Sequence, residues 1–218
     1  MGKYKAVLFD LDGTVLDTSE GILLSIEQTI EELGLKKIAE EDRFSFIGPP
    51  IEWSFEDKCG IEGEALTKAC ASFRDKYANY NILKAVPYEG IFDLMAALKV
   101  RGVKTAIATY KKESYAIGLL EHFGFNKYYD VVHGSDPKGE LKKSDIIELC
   151  LKEMGIDDYS EVLMVGDSKH DAGGAAAINV DFAGVSYGFG FGPGKAERIE
   201  DYPHVIYVDK PIDILKVF

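Results

Sequence analysis

The chain has 218 residues, 46% hydrophobic and 28% charged, with a formal net charge of −12, a balance that suits a soluble globular protein with one core or a core plus a small appended domain. No basic cluster stands apart from the acids, which argues against nucleic acid or an anionic membrane as a partner. No apolar run approaches the ~18 residues of a membrane span, and Met1-Gly2-Lys3-Tyr4-Lys5 leads into a strand-like segment rather than a secretory signal. Gly2 does not complete a myristoylation pattern, because position 6 is Ala. A cytoplasmic protein is expected.

In chain order, the first predicted element is a short buried strand, Lys5–Asp10, apolar on both faces as in a parallel sheet. A long stretch without strands follows. Asp17 and Glu20 have the spacing of a capping box, and Ile22, Leu23, Ile26, Ile30 and Leu33 recur at helical spacing before Gly34. Phe46-Ile47-Gly48-Pro49-Pro50 reads as a rigid turn between helical elements. Leu66, Ala69, Cys70, Phe73 and Tyr77 then form a second helical stripe. Residues 17–85 therefore read as an all-helical insert, with tethers near Leu16-Asp17 and Val86-Pro87 that lie close together and serve as a hinge.

Beyond the insert, strands alternate with helices. Val103–Thr109, Asp130–Ser135, Val162–Asp167 and Asp181–Ser186 read as strands, with His204–Asp209 as a sixth. Ile91, Leu94, Met95 and Leu98 form one helical stripe; Ile117, Leu120 and Phe123 a second; Ile146, Ile147, Cys150, Leu151 and Met154 a third, stopped by Gly155. The pattern predicts an α/β fold: a doubly wound, Rossmann-like parallel sheet core, residues 1–16 and 86–218, carrying the helical insert. Cys59, Cys70 and Cys150 are too scattered for a disulfide frame or a zinc site. Cys70 and Cys150 read as buried thiols and Cys59 as an ordinary loop thiol.

Open parallel sheets bind ligands beyond the carboxyl ends of their strands. The first strand ends in Asp10-Leu11-Asp12-Gly13-Thr14, the second in Thr109 and the fourth in Gly166-Asp167-Ser168-Lys169-His170-Asp171, while a Lys-rich segment from Lys138 to Lys143 follows the third. Asp10 and Asp12, two apart, project the same way from an extended chain. Such close carboxylates repel unless a cation lies between them or one holds a proton. With Asp167 they suit a hard cation with oxygen ligands, and Mg²⁺ fits best.

These four segments, in this order, resemble the motifs of the haloacid dehalogenase superfamily of phosphohydrolases, and the resemblance covers essentially the whole chain. The insert resembles that superfamily's small helical cap. The Phe46–Pro50 turn and the Gly188–Gly192 segment resemble its phosphoglycolate phosphatase and nucleotidase-like branch. The resemblance implies that Asp10 is the nucleophile and becomes an aspartyl phosphate, and that Asp12 is the general acid and base. It implies that Mg²⁺ is held by Asp10, the Asp12 backbone carbonyl and Asp167. Thr109 then binds a phosphoryl oxygen, a motif Lys neutralises the phosphoryl group, and Asp171 orients that Lys or the metal's hydration. Lys143 matches the motif register best, before Lys142, with Lys138 third.

Several residues stay open on sequence alone. Lys111 reads either as facing the substrate or as a solvated surface Lys, and Arg43 either as reaching a substrate's anionic end or as a surface Arg. Trp53 and Phe55 belong either to a substrate pocket or to the insert's core. His170 reads as a solvated loop residue, His122, His133 and His204 lack ligand spacing, and Ser186–Gly194 reads as a flexible rim loop. The expected activity is Mg²⁺-dependent hydrolysis of a small phosphorylated metabolite (phosphoglycolate, a 5′-nucleotide or a sugar phosphate) by a monomer or small homo-oligomer. The rivals are a β-phosphoglucomutase-like phosphomutase and, outside enzymes, a phospho-accepting signalling or binding module. A dehalogenase has no use for Asp12, and a phosphonatase of this type lacks an Asp there.

Overall fold

The computed structural model describes residues 2–136, 139–192, 195 and 197–218, with the backbone alone of Glu41. Lys138, Pro193 and Gly194, which entered the sequence reading, lie outside the described residues.

Six parallel strands form the main sheet in the order β5-β4-β1-β6-β7-β8. They are β1 (Ala6–Phe9), β4 (Lys104–Lys112), β5 (Val131–Ser135), β6 (Val162–Gly166), β7 (Asp181–Val185) and β8 (Ile206–Val208). Strand alternation sorts the side chains onto two faces. Val7, Phe9, Ile107, Leu163 and Val165 pack against α4 (Ile91–Val100) and α5 (Glu113–His122). Ala6, Leu8, Ala106, Ala108 and Met164 pack against α6 (Lys143–Met154) and α7 (Lys169–Ala177). Both faces are covered, which explains strands that are apolar throughout. The chain leaves β1 toward β4 and β5, then returns to the other side of β1 with β6. The crevice between β1 and β6 is thus the switch point where such sheets bind ligands.

The two tethers of the helical segment pair as short antiparallel strands, β2 (Leu16–Asp17) and β3 (Val86–Pro87). Between them lie α1 (Ser19–Leu33), a 3₁₀ turn at Glu40–Phe46, α2 (Ile51–Cys59), α3 (Gly63–Lys76) and a π-helical turn at Tyr77–Asn81. Ile22, Ile26, Ile30, Phe46, Ile47, Phe55, Ala69, Cys70 and Tyr77 form a separate apolar cluster. α1 starts differently from the expected capping box. Thr18 takes the N-cap position, and the Asp17 carboxylate accepts from the Ser19 amide at 3.0 Å and hydroxyl at 2.6 Å.

β4 also runs three residues past its expected end at Thr109. A register shift against β5 between Ala108 and Lys112 absorbs the extra length. Among the described residues, no helix is long and apolar enough to cross a membrane.

Candidate active site

Asp10 leaves the carboxyl end of β1, where its amide still donates to the Val165 carbonyl of β6 at 2.9 Å. The chain then folds back tightly, with the amides of Val15 and Leu16 both donating to the Leu11 carbonyl. Gly13 sits in the left-handed region at φ 84°, and a Cβ there would strike the Asp167 carboxylate and the Phe189 ring. Asp167 follows β6, and Asp171 lies in the first turn of α7. The Asp171 Oδ2 accepts from the Ser168 amide at 3.2 Å and hydroxyl at 2.7 Å, capping that helix.

Lys143 opens α6 and reaches across the crevice. Its Nζ lies 2.6 Å from Asp10 Oδ1 and 2.7 Å from Asp171 Oδ1, with only 3% of its side chain exposed. Gly174 of α7 makes this approach possible, since a Cβ there would sit 2.7 Å from Lys143 Cβ. Of the two described candidates for the motif position, Lys143 is the one brought to Asp10 and Lys142 is exposed. Thr109 is buried at the same rim, its hydroxyl accepting from the Lys111 amide at 3.1 Å.

The electrostatics are those of charge held out of water. Burial pushes the Asp10 carboxyl up to about 7; Lys143 pulls the other way, and Asp171 and Asp12 add to the rise. Burial, then Asp171 and Asp10, raise Asp167 as well. Burial works against the Lys143 ammonium, but Asp10 and Asp171 more than offset it and hold its pKa above the ordinary lysine value.

One oxygen from each of Asp10, Asp167 and Asp171 lies within 4.8 Å of the others, all three residues buried. Asp10, Asp12, Asp167 and Asp171 face the two ammoniums of Lys111 and Lys143. With all four carboxyls ionised, two negative charges would be in excess, and the donors are all oxygen. The set fits a divalent hard cation such as Mg²⁺.

Several parts of the site escaped the sequence reading. Ser186–Gly192 is hydrogen-bonded to the site rather than set apart as a rim. The Phe189 and Gly190 amides donate to Asp167 Oδ2 at 2.5 and 3.2 Å, and the Phe191 amide donates to the Asp167 carbonyl at 2.7 Å. The alternating Gly-Phe pattern of 188–192 was the available signal: small residues for close approach, and a fully buried Phe191 as anchor. Lys111, left open above, is buried with 6% of its side chain exposed and pairs with Asp12 Oδ1 at 2.8 Å. His170 is half-buried between Trp53 and Tyr110, ring centroids 6.3 and 5.7 Å away, and burial lowers its pKa. It is no solvated loop residue.

The remaining candidates sort clearly. Phe55 is fully buried against Phe46 in the helical segment's own core, whereas Trp53 is half-exposed beside His170. Arg43 is engaged by Glu27 and Glu40 and lines a cavity of about 650 Å³ with Leu23, Ile26 and Ile30. It is not brought to the acid cluster. Cys70 and Cys150 are buried, and burial raises the Cys59 thiol, as suits an unreactive one. His133 lies between Glu113 and Glu153, at 3.2 and 2.9 Å.

The sequence matches the family model of haloacid dehalogenase-like hydrolases over residues 7–185. The chain belongs to that family. It is a hydrolase of the phosphatase type. A 5′-nucleotidase of Pseudomonas aeruginosa is 32% identical over 189 residues, 86% of this chain and 85% of that protein. The pyrophosphatase PpaX of Halalkalibacterium halodurans is 32% identical over 197 residues, 90% of this chain and 86% of that protein. Among solved structures, the haloacid dehalogenase-like family hydrolase SP0104 from Streptococcus pneumoniae superposes with a TM-score of 0.89 at 27% identity, covering 98% of both chains.

Proposed function

We propose that this enzyme hydrolyses a small phosphate ester in two steps through a phosphorylated Asp10. The observation that carries the reading is the buried Asp10, tied to Lys143 at 2.6 Å and clustered with Asp167 and Asp171 at the switch point of the sheet. In the first step an Asp10 oxygen bonds to phosphorus and the ester P–O bond breaks, the leaving oxygen taking its proton from Asp12. In the second, water attacks the aspartyl phosphate, gives its proton to Asp12 and frees orthophosphate and the Asp10 carboxylate.

Lys143 and the Thr109 hydroxyl bind the transferring phosphoryl oxygens, and Asp171 holds Lys143 in place. Asp10 and Asp167, with the Asp12 backbone carbonyl, would hold Mg²⁺, and Asp171 lies beside them. When bound, the ion supplies positive charge between nucleophile and phosphate. The Phe189 and Gly190 amides hold Asp167 for that task.

Residues 17–85 act as a cap on a core of residues 1–16 and 86–218, with β2 and β3 as the hinge. Cap and core meet through Phe44 and Phe189, Trp53 and His170, and Tyr77 and Tyr115. A lid seated this way admits small esters and keeps out macromolecular ones. Phosphoglycolate, 5′-nucleotides, sugar phosphates and pyrophosphate form the test panel. The names of the relatives support the nucleotide and pyrophosphate choices.

The deciding experiment is phosphate release from this panel with Mg²⁺ and with chelator, for wild type and Asp10→Asn. Release that needs both Mg²⁺ and Asp10, with Asp10→Asn slower by a factor on the order of 10⁴ or more, is the expected result. Equal release by Asp10→Asn would remove Asp10 from the mechanism. Phosphorylation of Asp10 without release to water would point to a mutase or to a phospho-accepting signalling role.

A further inference from the structure

Asp12 does not stand free in the crevice. Its Oδ1 receives two donors at once: the Thr18 hydroxyl at 2.5 Å and the Lys111 ammonium at 2.8 Å. Both contacts fall on one oxygen, which leaves Oδ2 for the group that exchanges a proton with substrate. Thr18 heads α1, and its hydroxyl makes no cap bond to that helix. The side chain that a helix start would use for itself is committed to Asp12 instead.

Lys111 is placed by three features. β4 continues beyond Thr109, so Lys111 lies on the same strand that brings Thr109 to the rim. The Lys111 amide is anchored on the Thr109 hydroxyl. The ammonium lies 4.8 Å from the centre of the Tyr77 ring, which supplies a cation–π seat. Tyr77 is the first residue of the π-helical turn that ends the helical segment, a departure from α geometry that often marks a functional position. A desolvated ammonium with both its carboxylate and its aromatic face occupied is poorly suited to bind substrate. It is well suited to hold a carboxylate still.

We propose that Lys111 is a positioning residue that orients the Asp12 carboxylate for proton transfer, with Tyr77 as its seat. The inference rests on the reading of Asp12 as acid and base. It makes the direction of that carboxylate depend on the helical segment being closed, since Thr18 and Tyr77 both come from it.

The test compares two esters whose leaving groups differ strongly in their need for a proton, and reads how the ratio changes from wild type to variant. An alkyl phosphate needs one to leave; 2,4-dinitrophenyl phosphate does not. kcat/KM reports all steps through loss of the leaving group, so the ratio of the two values isolates proton delivery. Asp12→Asn should lower kcat/KM for the alkyl ester far more than for the dinitrophenyl ester. Lys111→Met should show the same split, about 10- to 100-fold on the ratio. Tyr77→Leu should show a smaller split in the same direction, and it carries the test should Lys111→Met fail to fold. Lys111→Arg should restore part of the ratio.

A uniform fall on both esters in Lys111→Met and Tyr77→Leu would overturn the proposal, because a structural or substrate-binding role predicts that. An unchanged ratio alongside a clear split in Asp12→Asn would overturn it too, and would leave the acid–base role of Asp12 standing. No split in Asp12→Asn itself would overturn both readings together.

Discussion

The rim of the sheet and the helical segment above it bury polar groups in opposite ways. At the rim, Asp10, Asp12, Lys143, Asp167 and Asp171 are buried ionisable groups. In the helical segment, the buried polar side chains among the described residues are neutral: Thr18, Ser25, Thr29, Ser54 and Asn81. Its charges lie outside, in pairs such as Arg74 with Glu52 and Lys68 with Glu64. Asn81 bonds Ser25 and Gln28 at 3.1 and 3.0 Å and closes the segment with neutral hydrogen bonds. The contrast teaches that the rim accepts a desolvation cost that stability alone would not select. Buried ion pairs rarely outdo apolar packing, so a cluster of them marks the place where charge has work to do.

The sharpest way to break this comparison is to remove one charge from the rim. Lys143→Met leaves Asp10 and Asp171 buried without their cation, so urea unfolding in chelator should show a loss of about 3–5 kcal/mol. A loss under 1 kcal/mol would mean that the rim tolerates bare acids and the contrast is false. The matching change in the helical segment is Phe55→Ala, which empties the centre of an apolar cluster and should cost about 3–5 kcal/mol by cavity formation. Here the loss should not depend on Mg²⁺, whereas the loss in Lys143→Met should shrink when the ion is added.

A pH series sharpens the same point. In the metal-free protein, Asp10 and Asp167 carry raised pKa values, about 7 for Asp10. The folded state therefore holds protons that the unfolded chain has already released. Their contribution to stability is full below the ordinary Asp value near 4 and is lost as pH rises through the folded value. Melting temperature in chelator should fall between about pH 4 and 7, and the stabilisation by added Mg²⁺ should grow over that range. Stabilisation by Mg²⁺ that is greatest at low pH would contradict the assignment. The smallest effect is expected at Arg43. Its pairs with Glu27 and Glu40 are largely solvated, so Arg43→Ala should change stability by no more than about 0.5 kcal/mol and leave phosphate release unchanged.

Much of the rim could be read one strand at a time. Asp10, Thr109 and Asp167 each follow a short apolar run directly, so a local pattern carries them to the same end of a parallel sheet. Lys143 was preferred over Lys142 on register, and the two differ by one position at a helix start where roughly 100° of rotation separates buried from exposed. Arg43 was left open because a sequence cannot say whether nearby acids will claim a guanidinium. Glu27, sixteen residues away, does.

The order of strands and helices, the place of the helical segment between Leu16-Asp17 and Val86-Pro87, and the carboxylates at the strand ends were determined by the sequence alone. Those features depend on hydrophobic periodicity and on residues near one another in the chain. The tertiary structure alone decided the partners of those carboxylates. Phe189 and Gly190 meet Asp167, Lys111 meets Asp12, and Tyr77 meets Lys111, each across a separation that no local period encodes. The burial that shifts Asp10 and Asp167 likewise arises only once the switch point of the sheet, the glycine-rich segment and the helical segment have closed around them.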